Sequence, residues 1–207
     1  MKALTFIIAP VIAVTILLPV AQSSSARSIR DIDFRNFSYS KLPTRKCSMA
    51  VVRLRDGRYE APERRVPRQI PSKDCWSVGV GPIEYGDVTG DGQEEAMVVL
   101  YAERGGTESS NDVFVYTLKN GKPVVLWKFA SGDRADGGLR RIYAEDGKLV
   151  IELAGKNKII GGDLYADDGT STGACCPTVF TRTKYQWVGG RFRRRGKIEI
   201  LPFTGWQ

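Results

Sequence analysis

The residues best suited to chemistry lie in a short acidic loop at positions 87–95 (DVTGDGQEE). Oxygen ligands at alternate positions of a tight loop suit a hard cation such as calcium, and a glycine at the sixth position permits the sharp turn. Counted from Asp87, that glycine is Gly92. The spacing therefore predicts a calcium site whose ligand positions are Asp87, Thr89, Asp91, Gln93 through its backbone carbonyl, and Glu95.

A second interpretation of the same loop needs no metal. Aspartate side chains in turns commonly accept hydrogen bonds from backbone amides two residues further on, which gives an Asx-type turn. The twelfth position, where an EF-hand requires a bidentate glutamate, is Val98, and an apolar β-type run at residues 96–101 follows in place of a helix. The pattern thus predicts a strand–loop–strand unit in which either a cation or the backbone itself satisfies the carboxylates.

The run DVTGDGQEEA at residues 87–96 resembles the Asp-rich loop of FG-GAP/VCBS-type β modules, and single-copy versions of it in small exported bacterial proteins of uncharacterised function. Residues 173–177 (GACCP) and 33–37 (DFRNF) also resemble such exported proteins. In the FG-GAP family the loop binds calcium between strands of a propeller blade, so the resemblance implies calcium here. It covers about fifteen residues; Thr89 and Glu95 depart from the family pattern, and the propeller repeats are absent.

Catalytic chemistry is restricted because the chain contains no histidine. Ser-His-Asp and Cys-His catalysis are therefore excluded, as are histidine-liganded zinc sites. Two carboxylates suffice for glycoside hydrolysis. Aspartates that could form such a pair are Asp133 and Asp136, or Asp163, Asp167 and Asp168. Aspartate in glycine-rich loops usually serves turn formation, so we assign no catalytic residue and expect a protein that is not an enzyme.

The first residues have the pattern of an export signal. Lys2 precedes an apolar run at residues 3–20, and small polar residues follow. This is typical of a secretory signal peptide cleaved after Ala21 or Ala26. We therefore assign residues 1–26 as the signal and residues 27–207 as one exported domain, periplasmic or extracellular, without a membrane span after cleavage.

The cysteines are predicted to form disulfides, because an exported chain matures in an oxidising compartment. Three connectivities are open, and one of them contains a bridge between adjacent residues. The spacing does not match the Cys-x-x-Cys motif of thiol oxidoreductases. The candidates are Cys47, Cys75, Cys175 and Cys176.

The chain is basic, with 31 Lys and Arg against 23 Asp and Glu. Near the end, Arg191, Arg193, Arg195 and Lys197 alternate, which in a strand places them on one face. Such a row is commonly a solvated surface that discourages edge pairing. It can also hold an anionic envelope polymer or nucleic acid electrostatically.

Short β-type runs separated by turn signals predict an all-β fold, a single-domain antiparallel meander of hairpins arranged as a sandwich, small barrel or propeller-like unit. Four hairpins are predicted, because Asp-Gly, Asn-Gly and Gly-Gly pairs favour tight turns between strands. The predicted turns are at residues 56–57, 120–121, 146–147 and 189–190. Residues 96–101 are predicted to form a strand buried on both faces, and the aromatic residues near position 34 are predicted to dock on the sheet.

These observations favour an exported, non-enzymatic binding or structural module of the cell envelope or extracellular space, stabilised by calcium. Its expected partner is an anionic envelope polymer or another exported protein. The alternative is a carboxylate-based hydrolase that acts on envelope or extracellular glycans.

Overall fold

The computed structural model describes residues 28–43, 49–60, 75, 77–103, 109–132, 137–156, 158–160, 164–166 and 177–205. The predicted signal peptide lies outside these residues. Across the described ranges, no helix is long and apolar enough to cross a membrane.

The described chain is almost entirely β-structure. Two 3-10 turns, Ile29–Asp31 and Phe34–Asn36, precede the strands. The strands are β1 (Ser38–Ser40), β2 (Val51–Arg53), β3 (Arg58–Glu60), β4 (Ser77–Gly86), β5 (Glu95–Glu103), β6 (Ser109–Lys119), β7 (Lys122–Ala130), β8 (Leu139–Glu145), β9 (Lys148–Ala154), β10 (Lys158–Ile160), β11 (Leu164–Ala166), β12 (Val179–Val188) and β13 (Arg191–Pro202). The predicted all-β class is confirmed.

The strands form two main sheets and one small one. The larger sheet has seven strands in the order β10-β11-β7-β6-β5-β4-β3, and the second has four in the order β13-β12-β9-β8. β1 and β2 pair separately. Neighbouring strands run antiparallel except β11 and β7, which meet in parallel. This is the sandwich form of the predicted meander.

Two apolar cores lie on opposite faces of the seven-stranded sheet. One lies between the two main sheets and includes Met97 and Val99 from β5 with Leu149 and Ile151 from β9. The other lies under residues 28–42, called the N-terminal segment below. β5 contributes to both cores because side chains alternate between the faces of a strand. The predicted strand buried on both faces is therefore confirmed.

The N-terminal segment covers the second core with aromatic rings, as predicted. Phe34 and Tyr39 are buried, and the Phe34 ring centroid is 5.2 Å from that of Tyr116 on β6. The Tyr39 hydroxyl donates to the Phe34 carbonyl at 2.6 Å. This hydrogen bond satisfies the polar end of a buried ring, as burial requires.

Three of the four predicted hairpins form as expected, between β6 and β7, β8 and β9, and β12 and β13. Both turn residues have positive φ in each, for example Asn120 at 51° and Gly121 at 69°, as tight two-residue turns require. The first predicted hairpin is confirmed only at its turn. Asp56 and Gly57 form the turn, and Arg55 and Arg58 make one antiparallel bridge across it. The predicted pairing of the flanking strands is wrong, because β2 pairs with β1 while β3 pairs with β4. Backbone hydrogen bonds hold the chain before the turn to the residues that precede it, for example Leu54 N–H to the Phe37 carbonyl at 2.9 Å.

Candidate functional site

The acidic loop between β4 and β5 is folded around one carboxylate. Asp87 Oδ1 accepts hydrogen bonds from the backbone N–H groups of Thr89 at 3.1 Å and Gly90 at 2.6 Å. Its Oδ2 accepts from Gly92 N–H at 2.9 Å. Asp91 Oδ1 accepts from Gln93 N–H at 2.9 Å in the same way. These bonds make the Asx-type turns of the metal-free interpretation.

Glu95 points away from the exposed tip of this loop and is completely buried. Its Oε2 accepts from Val88 N–H and its Oε1 from the Thr117 hydroxyl, both at 3.1 Å. Burial raises the pKa of the Glu95 carboxyl, and the charges of Asp91 and Asp87 raise it further. The two hydrogen bonds act in the opposite direction.

The loop also fastens other parts of the protein together. A Cβ on Gly86 would lie 2.5 Å from the Ala144 Cβ, and one on Gly90 would lie 3.6 Å from the Gly147 carbonyl oxygen. The loop therefore packs closely on the β8–β9 hairpin of the other sheet. On its other side, Arg30 Nε donates to Glu94 Oε2 at 2.6 Å, and the Arg30 guanidinium lies 4.6 Å from the Tyr85 ring centroid.

The loop matches a calcium site only in part. Asp87, Asp91 and the Thr89 hydroxyl supply hard oxygen ligands, and that hydroxyl is buried with no hydrogen-bond partner among the described residues. Glu95 does not join them, because its carboxylate is completely buried against Val88 N–H and the Thr117 hydroxyl. Asp87 itself accepts three backbone hydrogen bonds, so only part of its oxygen capacity is open to a cation. In the part of the chain that the structure describes, no three acidic, cysteine or histidine side chains converge as a metal group. The calcium assignment stays a prediction.

The predicted anion-binding residues lie on β13, at one edge of the four-stranded sheet as described. Arg191, Arg193 and Arg195 pair in register with Val188, Gln186 and Lys184 of β12, which places the three arginines on one face. All three are exposed, as is Lys197. Lys197 lies beside Gly196, where φ is 76° and the register shifts, so it falls outside the regular alternation.

A buried ion cluster on the four-stranded sheet was not predicted from the sequence. Glu152 on β9 is 1 % exposed and accepts hydrogen bonds from Arg140 Nη1 and from Arg182 Nε, the latter at 2.8 Å. Arg140 is also buried, and its guanidinium lies 4.3 Å from the Phe180 ring centroid. The available sequence signal was a single acid in the otherwise apolar strand KLVIELA. A charge in a buried strand requires a buried partner.

Other predicted sites fall largely outside the described residues. This applies to Cys47, Cys175 and Cys176, and to the carboxylates Asp133, Asp136, Asp163, Asp167 and Asp168. Cys75 is described and is 1 % exposed within the core under the N-terminal segment. The disulfide pairing and the hydrolase alternative therefore stay predictions.

Comparisons with protein families, with characterised proteins and with solved structures found no match for this chain.

Proposed function

We propose that this protein is an exported, non-enzymatic binding module that holds an anionic envelope polymer through Arg191, Arg193, Arg195 and Lys197. One observation carries the proposal. These cations are exposed on an edge strand, and none of them takes part in an ion pair between described residues. Arginines at alternate positions of a strand repeat about every 7 Å, which presents regularly spaced charge to a linear polyanion.

The test is salt-dependent binding to polygalacturonate, a carboxylate polysaccharide. Arg193→Ser/Arg195→Ser should weaken binding at low salt and reduce the dependence of log K on log salt by about two counterions. The matched control is Lys119→Ser/Lys122→Ser, which removes the same charge from exposed positions around the β6–β7 turn. If the two double variants bind equally well, the basic row is only a solvated edge and the proposal fails.

Calcium belongs to this proposal as a stabiliser of the acidic loop. Two observations support it: the buried Thr89 hydroxyl without a described partner, and the effect of Asp87 and Asp91 on the pKa of Glu95. A cation would offset that repulsion between carboxylates. Thermal unfolding in millimolar calcium and in excess chelator tests it, with Asp91→Ala as the variant that should lose the increase in midpoint. Equal wild-type midpoints would leave the Asx-turn interpretation.

A further inference from the structure

The outer face of the four-stranded sheet is the face turned away from the core between the sheets. It carries basic side chains on β8 and β12 as well as on β13. In register across the sheet lie Tyr143 on β8, Val150 on β9, Lys184 on β12 and Arg195 on β13. In the next row, Arg141 on β8 is in line with Glu152 and Arg182. Residues in register share a face, and so do residues two positions apart on one strand, such as Arg141 and Tyr143. Arg141 and Arg195 therefore belong to the same surface. Three strand spacings separate β8 from β13, which is about 14 Å.

Three described acids on this face are paired. Glu152 contacts Arg140 and Arg182, Glu145 contacts Lys184, and Glu199 lies 3.6 Å from Arg182. By contrast, Arg141, Arg193 and Arg195 are exposed and take part in none of the ion pairs between described residues. Positive charge therefore remains at both ends of a diagonal across the sheet.

Contacts within the protein restrain the side chains along this diagonal. Arg182 is held by the buried Glu152, and the Tyr143 hydroxyl donates toward the same carboxylate at 3.4 Å. Arg141 lies over the Tyr143 ring, 4.5 Å from its centroid. Arg195 Nε donates to Gln186 Oε1 at 2.7 Å. Side chains that are restrained before binding lose less conformational entropy when a ligand arrives.

The chemistry of this surface favours an acidic polysaccharide over a single-stranded nucleic acid. Binding of single strands uses open aromatic rings on which bases stack. Here Tyr143 is covered by Arg141, and Phe192 packs instead against Trp127 and Trp187 at the core between the sheets. Arginine guanidinium groups bind carboxylates and phosphates alike with two parallel hydrogen bonds. The preference for a polysaccharide therefore rests on the lack of an open ring among these described aromatic residues.

We propose that an acidic polysaccharide crosses the four-stranded sheet diagonally, from Arg193 and Arg195 over Lys184 to Arg141. The inference rests on the proposed function and specifies its ligand and path. It makes Arg141, three strands away from the basic row, a binding residue.

The experiment measures binding of the full exported chain to polygalacturonate over a range of salt. Arg141→Ser should weaken binding about fivefold at low salt, as loss of one exposed charge contact allows. It should also reduce the salt slope by about one counterion. Arg141→Lys keeps the charge but not the guanidinium group, so it should keep the salt slope and lose less affinity than Arg141→Ser. Lys122→Ser is the matched control, and unchanged melting curves would verify that each variant folds.

The two variants together distinguish failure of the path from failure of the proposed function. Weaker binding in both Arg141→Ser and Arg193→Ser/Arg195→Ser supports the diagonal path. Loss in the β13 variant alone, with Arg141→Ser equal to Lys122→Ser, overturns the path and leaves the proposed function standing. No loss in either overturns both. Tighter binding of a single-stranded oligonucleotide than of polygalacturonate at equal charge and salt overturns the assignment to polysaccharide.

Discussion

Glu95 and Glu152 are both buried among the described residues, and the charges around them have opposite signs. Glu152 lies against the guanidinium groups of Arg140 and Arg182. Glu95 has a backbone amide and a hydroxyl as hydrogen-bond partners, and its charged neighbours Asp87 and Asp91 are negative. A buried ion is tolerated when paired and costly when it is not. The two carboxylates should therefore respond differently to neutralisation.

Replacing Glu152 by Gln should destabilise the fold by about 3–5 kcal/mol, because it leaves the buried Arg140 without its counterion. The measurement is the free energy of unfolding in denaturant. Glu199→Gln is the control, since Glu199 is half-exposed and pairs with Arg182 at 3.6 Å; its loss should cost less than about 1 kcal/mol. Similar losses in the two variants would contradict the role of the buried cluster.

Glu95 should make the free energy of unfolding depend on pH in the direction opposite to that of a paired carboxylate. Its folded pKa is raised above the usual 4.5, chiefly by burial. A raised carboxyl pKa contributes stability below the unfolded value, and this contribution is lost as pH rises through the folded pKa. Relative to Glu95→Gln, wild-type protein should therefore lose free energy of unfolding as pH rises from 4.5 toward neutrality. The comparison is made in chelator, and parallel pH profiles of the two proteins would refute it.

Elements whose signals are local were predictable from the sequence. The apolar run of β5 and the turn pairs at Asn120, Asp146 and Gly189 identify strands and hairpins without reference to the rest of the chain. The pairing of β2 was not predictable in this way, because its partner β1 is set by tertiary packing. The orientation of Glu95 toward Thr117 on β6, and the pairing of Glu152 with residues 12 and 30 positions away on β8 and β12, also arise only when the strands pair.

The docking of the acidic loop on the β8–β9 hairpin depends on a missing side chain. Gly86→Ala should destabilise the protein, because the new Cβ would lie 2.5 Å from the Ala144 Cβ. Overpacking of this kind costs about 1–3 kcal/mol. The double variant Gly86→Ala/Ala144→Gly should recover part of this loss in thermal or denaturant unfolding.

Gly92→Ala is an unsuitable control because φ is 83° there; Gly79→Ala serves instead, since no atom lies within 4 Å of its added Cβ. Equal losses at Gly86 and Gly79 would argue against tight docking.

At the scale of the whole molecule, the seven-stranded sheet is held from both sides. The acidic loop and the core between the sheets join it to the four-stranded sheet. The N-terminal segment covers its other face and is fastened to the loop through Arg30 and Glu94. Loosening the loop should therefore weaken both the packing against the four-stranded sheet and the packing under the N-terminal segment.

Covalent bridges are the remaining prediction for the whole molecule. Cys75 is 1 % exposed in the core under the N-terminal segment, and the chain has four cysteines in all. If the protein is exported, oxidation should leave no free thiol. Thiol titration of the denatured, unreduced protein should then find none, and peptide mapping would select among the three connectivities. Cys75→Ala should reduce the free energy of unfolding of the oxidised protein by about 2–5 kcal/mol. The same substitution compared under reducing conditions is the control, because there only the packing of the buried side chain is lost. Two or more reactive thiols per chain in the unreduced protein would contradict the predicted bridges.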